Sequence, residues 1–288
     1  SLSKGGSMPR INHNVPALVT GQALRTAGRH VAKSLEKLST GLRINRAADD
    51  AAGLSISEQL RTQCRGLAMG NRNIQDGIAL LNIAEGALIE IEDSIQRLRE
   101  LAIQAANDTL TSKERSYINV EFSELKVEID RIANGTQYNS QKLLNGDTNS
   151  PWSTGGVLHV GPNDELTTDE IVITIGSITT GGLGIDGTNC YPMTQTDSVA
   201  AISALDVALD SVNRLRSELG AKTNRLEHAL NNQENQEQNM QAAESVIRDT
   251  DFASESTTFT RHQILQQSST AMLAQANMIP QSVLQLLQ

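Results

Sequence analysis

Residues 60–102 read LRTQCRGLAMGNRNIQDGIALLNIAEGALIEIEDSIQRLRELA, and their apolar positions decide the fold. Leu60, Cys64, Leu67, Ile74, Ile78, Leu81, Ala84, Leu88, Ile91, Ile95, Leu98 and Ala102 follow one another at steps of four, three or seven. That spacing keeps them on one face of a helix. Two successive steps of three at Leu81 are a stammer-like slip, which overwinds a coiled coil locally. At about 1.5 Å per residue, a helix from 54 to 106 would run roughly 80 Å, so the spacing predicts a rod packed along seams.

The flanking sequence supplies partners for that rod. Upstream, Leu24, Val31, Leu35, Leu38 and Leu42 form a second seam, followed by the break GLRINRAADDAAG at 41–53. Downstream, Asn107 and Asp108 end the long helix. Thr111 and Glu114 then have the spacing of a capping box, which opens another helix. Ile118, Phe122, Leu125, Ile129 and Ile132 repeat the four-three rhythm, and Gly135 reads as the C-cap. This shorter helix is expected to fold back antiparallel on the rod. Residues 197–248 are helical again, with Val199, Ile202, Leu205, Leu209, Val212, Leu219, Leu226, Leu230, Met240 and Ile247 near one face.

The 288-residue chain has only three Phe, one Trp and three Tyr. A thick globular core would use more of these large rings, whereas helices zipped along seams do not need them. The net charge of −9 argues against nucleic acid and anionic membrane surfaces as partners. No apolar window of 18 or more residues predicts a membrane span. Cys64 and Cys190 make no paired framework, and the five histidines fit no metal-ligand spacing, so no metal or cofactor is expected. Cys64 lies on the rod seam and reads as a buried small hydrophobe, whereas Cys190 reads as an exposed thiol.

Residues 146–196 differ in character, with nine glycines, three prolines, no Lys or Arg and six carboxylates. Val157–Val160 and Ile171–Ile175 are β-rich runs either side of GPNDELTTD, which predicts a hairpin with a loose loop. The rest of this stretch is expected to face solvent. Asp164, Asp169 and Glu170 lack an EF-hand spacing and read as solvated loop charges. At the two ends, 11–24 and 263–288 carry no charged side chain yet are amphipathic at helical spacing. Such segments are marginal alone in water. They are expected to pair, to be buried by neighbouring copies and to fold on assembly.

INHN (11–14), LEKLSTGLRINRAADDAAGLSISEQLR (35–61), RNIQDGIALLNIAEGALIEI (72–91) and IQRLRELAIQAAN (95–107) resemble the N-terminal half of bacterial flagellin. EIDRIANGTQYNSQKLLNG (128–146) continues that likeness, and SSTAMLAQANMIPQSVLQLLQ (268–288) resembles the flagellin C-terminus. The resemblance implies a mainly α fold, a long antiparallel helical coiled-coil bundle with a small β-hairpin excursion. It implies an inner domain, D0, from 11–46 plus 254–288, and a rod, D1, from 47–146 plus 197–253. It leaves 147–196 as a short variable region with the hairpin, and 1–10 as an N-terminal extension or tag remnant.

The function implied is a structural, non-enzymatic subunit of the extracellular flagellar filament, exported through the flagellar type III channel without a cleaved signal peptide. The implied partners are further copies of the chain, an export chaperone, the filament cap and hook-junction proteins. The implied assembly core comprises Leu24, Val31, Leu35, Leu38, Leu42, Leu265, Met272, Leu273, Ile279, Val283, Leu284 and Leu287. By the same resemblance, Gln96, Arg97, Glu100, Leu101, Gln104 and Glu121 match the surface recognised by a host innate immune receptor, the Toll-like receptor for flagellin. Two alternatives stay open on sequence: a hook–filament junction protein of the same architecture, and a coiled-coil binding module that remains monomeric. Neither HExxH nor GxSxG nor a phosphate-binding loop is present, which weighs against catalysis.

Overall fold

The computed structural model describes residues 13–148, 150–165, 167–187 and 190–285, with side chains as far as Met278. The expectations for residues 1–10 and Leu287 lie outside these residues, as do those for the side chains of Ile279, Val283 and Leu284. The described chain forms two compact units, divided at Arg61/Thr62 and Asn239/Met240.

The first unit is built on α1 (Val15–Thr40) and α6 (Phe252–Gln285). Asn14 caps α1 by accepting the Ala17 amide at 3.1 Å, and Pro16 occupies the first turn where no helical N–H is needed. Gly41 stops the helix at φ +73°, a left-handed conformation that glycine adopts without strain. The partners run in opposite order along the two helices: Lys37 with Glu255 at 3.5 Å, His30 stacked on His262 at 4.8 Å, and the Asn14 amide on the Ala276 carbonyl at 2.9 Å. The pair is therefore antiparallel. Among its described residues the buried ones are small, namely Ala27, Ser34 and Ala276.

The connections out of α1 and into α6 are tied together by backbone. Thr250 N–H donates to the Gly41 carbonyl at 2.9 Å, and Arg43 N–H donates to Arg248 at 2.7 Å. Ile44, only 1% exposed, plugs the joint against Gly53. Asp49 pairs with Lys33 at 2.7 Å and accepts the Asn45 and Arg46 amides. The hydrogen bond from Lys33, with help from those amides, holds the Asp49 carboxyl below the usual carboxylate range despite its burial. A depressed carboxylate stabilises the fold above its unfolded value, near pH 4, and that contribution is lost as the pH falls through the lowered value. Asp49→Asn should therefore lower the melting temperature of the isolated chain at neutral pH and flatten its decline in acid, as measured by circular dichroism.

The second unit packs α2 (Ala51–Ala105), α3 (Ser112–Gly135) and α5 (Gln195–Arg248) around one core, with α2 and α5 contributing the parts that fall inside it. Arg99 meets Asp206 at 2.6 Å, Glu92 meets Arg216, and Asn71 meets Glu237 at 3.0 Å, so α2 and α5 are antiparallel. The Thr111/Glu114 capping box forms as its spacing requires, and α3 folds back on α2 with Arg115 donating to the Ala105 carbonyl at 2.9 Å. Gly135 departs from expectation, because it is the last helical residue and Thr136, in extended backbone, closes the helix.

The seam of α2 is buried from Leu67 to Ala102, apart from half-buried Ile78. On α5 the buried stripe is Ser198, Ala201, Leu205, Ala208, Val212, Leu215 and Leu219, while Val199 is 54% exposed. The expected face is the buried one, since Leu205, Val212, Leu219 and Leu226 all lie on it, and only the start of the helix departs, with Ser198 and Ala201 inward in place of Val199. Small Ser198 and Ala201 permit close approach, and the Ser198 hydroxyl is satisfied by the Thr194 carbonyl at 2.7 Å.

Two short hairpins complete this unit. β1 (Gln137–Tyr138) and β2 (Gln141–Lys142) pair antiparallel through Asn139 and Ser140, both at positive φ, as a tight two-residue turn demands. A single-turn helix, α4 (Pro151–Thr154), leads into β3 (Gly156–His159), which pairs with β4 (Glu170–Ile173) so that Val157 faces Val172. This is the hairpin expected from the β-rich runs. The chain from Leu158 to Pro162 lies against α2 glycines. A Cβ on Gly77 would meet Leu158 at 2.5 Å, on Gly70 the Val160 carbonyl oxygen at 2.1 Å, and on Gly66 Pro162 at 2.8 Å. Gly70→Ala must displace backbone and should destabilise by about 1–3 kcal/mol. Gly86→Ala, in open space on the same helix, should instead stabilise by up to about 1 kcal/mol. Urea unfolding of the two variants checks the contrast.

The remainder of the excursion does not face solvent as expected. Ile175, Ile178, Leu183, Ile185 and Cys190 join the main core. Asp130 on α3 anchors the segment by accepting the Thr180 amide at 2.8 Å and its hydroxyl at 2.7 Å. Cys190 is 3% exposed, not an exposed thiol, and burial pushes its thiol up although nearby Lys126 opposes this. Cys64 is half-buried, with its sulfur 4.0 Å from the Glu237 carbonyl.

Candidate functional site

In the first unit the notable feature is apolar surface left exposed among the described residues. Val15, Leu18, Val19 and Leu35 on α1, and Ile264, Leu265, Met272 and Met278 on α6, are all exposed, Leu18 by 69%. Of the residues named from sequence, Leu35, Leu265 and Met272 are exposed, whereas Leu24, Val31, Leu38, Leu42 and Leu273 are half-buried. Between Gln263 and Met278 α6 carries no charged side chain. Such a face can be sealed from water without stranding a charge.

In the second unit the fold-back of α3 brings Glu121 to Arg97, 24 residues away in the chain. Arg97 Nε and Nη2 both donate to Glu121 Oε1, at 3.0 and 2.9 Å, and Nη1 donates to Glu100 at 2.9 Å. The Glu121 carboxylate first, then Glu100, push the Arg97 guanidinium above its ordinary value. The triad is open to solvent, so its attraction is screened and its chief effect is to fix the side chains in place. Gln96 is exposed and donates to Glu92 at 3.3 Å, and Gln104 is exposed on the same helix. Leu101 does not share this surface, because it is 2% exposed and packed in the core beneath.

The α3 side of the surface also holds Tyr117, Val120 and Val127, exposed by 60–63%. The sequence signal for them was the apolar residues left off the Ile118–Phe122–Leu125–Ile129 seam. Among the described residues no three His, Cys, Asp or Glu side chains converge in a way that could hold a metal ion. No described helix is long and apolar enough to cross a membrane.

These features define a class: an α-helical structural subunit with long antiparallel helices zipped along buried seams and apolar residues left exposed on its terminal helices. Residues 11–149 match the family model of the bacterial flagellin N-terminal helical region, and 202–287 match that of the C-terminal helical region. A flagellin of Halalkalibacterium halodurans is 47% identical over 279 residues, covering 96% of this chain and 99% of the relative. A flagellin of Bacillus subtilis is 45% identical, and the flagellar filament 33 kDa core protein of Treponema phagedenis 43% identical, each over 96% of this chain and 99% of the relative. A solved Vibrio parahaemolyticus structure, titled as a flagellar hook-associated protein, superposes with a TM-score of 0.57 at 16% identity, covering 69% of this chain and 99% of that one; this likeness concerns the fold alone.

The chain belongs to the bacterial flagellin family. It is a structural subunit of the flagellar filament, and its near full-length identity to flagellins disfavours the junction-protein alternative.

Proposed function

We propose that this subunit polymerises by burying the exposed faces of α1 and α6 against neighbouring copies. The inner domain would comprise 11–46 with 254–288, the rod 47–146 with 197–253, and the variable region 147–196. The observation that carries this reading is the run of uncharged, solvent-facing apolar residues on both terminal helices. Burial of such surface contributes about 25 cal/mol per Å² toward assembly, against the entropy of ordering the ends. Seeding the purified chain with filament fragments should give long tubes by electron microscopy, whereas persistent monomers would overturn the reading. The export chaperone, filament cap, hook-junction proteins and export without a cleaved leader follow from family membership, and each is part of the same proposal.

The Arg97–Glu100–Glu121 triad, with Gln96 and Gln104, is proposed as the surface by which the monomer is recognised by the flagellin-sensing Toll-like receptor, with Leu101 supporting it from beneath. Its support is a pre-ordered charged patch flanked by exposed Tyr117 and Val120. Interface arginines often carry a disproportionate share of binding energy. Arg97→Ala combined with Glu121→Ala should lower potency in a receptor reporter assay by about tenfold or more, equivalent to ~1.4 kcal/mol or more. Unchanged potency would remove the assignment.

A further inference from the structure

We propose that Asn145–Gly146 is a self-modification site, at which the folded subunit promotes conversion of its own asparagine to a carboxylate without an enzyme. The pair lies in the loop between β2 and α4, where Asn145 and Gly146 are only half-buried. Gly146 has φ +68° and no side chain to shield its amide nitrogen.

The chemistry needs that nitrogen to attack the Asn145 side-chain carbon. A bond forms between Gly146 N and Asn145 Cγ, and Nδ2 leaves as ammonia with the displaced amide proton, giving a cyclic imide. Water then opens the ring at either carbonyl to leave aspartate or isoaspartate. The net change consumes one water and releases one ammonia, with no oxidant or reductant.

Two hydrogen bonds assist the two halves of the first step. Asp147 N–H donates to Asn145 Oδ1 at 3.0 Å, which withdraws electron density from Cγ and makes it a better electrophile. The Ser177 hydroxyl donates to the Asn145 backbone carbonyl at 3.3 Å. That carbonyl belongs to the same peptide unit as the attacking Gly146 nitrogen. A donor there stabilises the negative charge that develops when the amide proton is lost, as donors aimed at a developing oxyanion do in acyl transfer.

The chain contains its own comparison. Asn134–Gly135 is the same dipeptide, but it lies in the last turn of α3. The Asn134 side chain there donates to the Asp130 carbonyl at 2.8 Å instead of accepting a bond. The helical ladder holds its backbone, so the ring cannot close without fraying.

At position 145 the product has structural consequences. Isoaspartate routes the main chain through the former side chain and lengthens it by one carbon. The lengthening falls between Leu144, whose carbonyl accepts the Ile178 amide at 2.8 Å, and Gly146, which fits tightly against Ser177. Conversion would therefore loosen the link between the 143–150 loop and the 177–178 strap.

The test is peptide mapping by mass spectrometry of the full-length chain held in neutral buffer for weeks, with isoaspartate methyl-transfer labelling as a second readout. Position 145 should gain the carboxylate about tenfold faster than position 134, a difference that disappears in chain unfolded by urea. Ser177→Ala should slow the conversion severalfold, and Asn145→Gln should abolish it, because ring closure then needs one more atom. A chain that keeps its amide at 145, that converts 134 equally fast when folded, or that is indifferent to Ser177→Ala would overturn the proposal.

Discussion

A chain carrying both Leu18→Glu and Leu265→Glu should remain monomeric under seeding conditions that convert the parent chain into filaments. In the single subunit Leu18 is 69% and Leu265 48% exposed, so the α1–α6 pair should survive both changes and the helical circular dichroism should be preserved. In the polymer the same positions would be enclosed. An unpaired carboxylate removed from water costs several kcal/mol, or is neutralised at comparable cost. At about 4 kcal/mol per subunit, the monomer concentration needed for growth rises roughly a thousandfold. Sedimentation reads that concentration directly. Growth of the double variant at the parent concentration would show that other surfaces hold the filament together.

The second large effect concerns the rod. Phe122 is the one fully buried aromatic ring among the described residues, and it sits where α3 closes over α2 and α5. Phe122→Ala leaves a void in a core that also holds fully buried Ile95, Leu98 and Ile129. The expected loss is about 3–5 kcal/mol, a large share of what stabilises a typical domain. The urea midpoint of the second unit should fall markedly. Tyr117→Ala, on the exposed side of the same helix, should change it by less than about 0.5 kcal/mol. Similar midpoints for the two variants would contradict the packing described above.

Much of this architecture is legible in the sequence because long helices announce themselves by period. The Leu67–Ala102 seam, the Thr111–Glu114 cap and the β3–β4 hairpin all follow from local rules that few tertiary contacts override. The Arg97–Glu121 pair needed one further step, since only the antiparallel return of α3 brings the two residues together. What stayed hidden lacks a period. Ile175, Ile178, Leu183, Ile185 and Cys190 lie at irregular intervals among glycines and threonines, and their burial depends on Asp130 capturing Thr180 from 50 residues away. At the start of α5 large apolar Val199 misled, because Ser198 and Ala201 are the buried positions there, although Leu205, Val212, Leu219 and Leu226 lie on the expected face. A local pattern of size and polarity carries no record of how near a partner backbone will come.

The thin join between the terminal helices has a mechanical corollary. Among the described residues of these two helices only Ala27, Ser34 and Ala276 are buried, and side chains that small contribute little transfer energy, of order 1 kcal/mol each. Two helices whose buried contact is that small gain stability when further surface covers them. If the terminal helices form the inner domain as proposed, whatever rigidity the finished propeller has there is a collective property, conferred by the crowd of surrounding molecules and absent from any one of them.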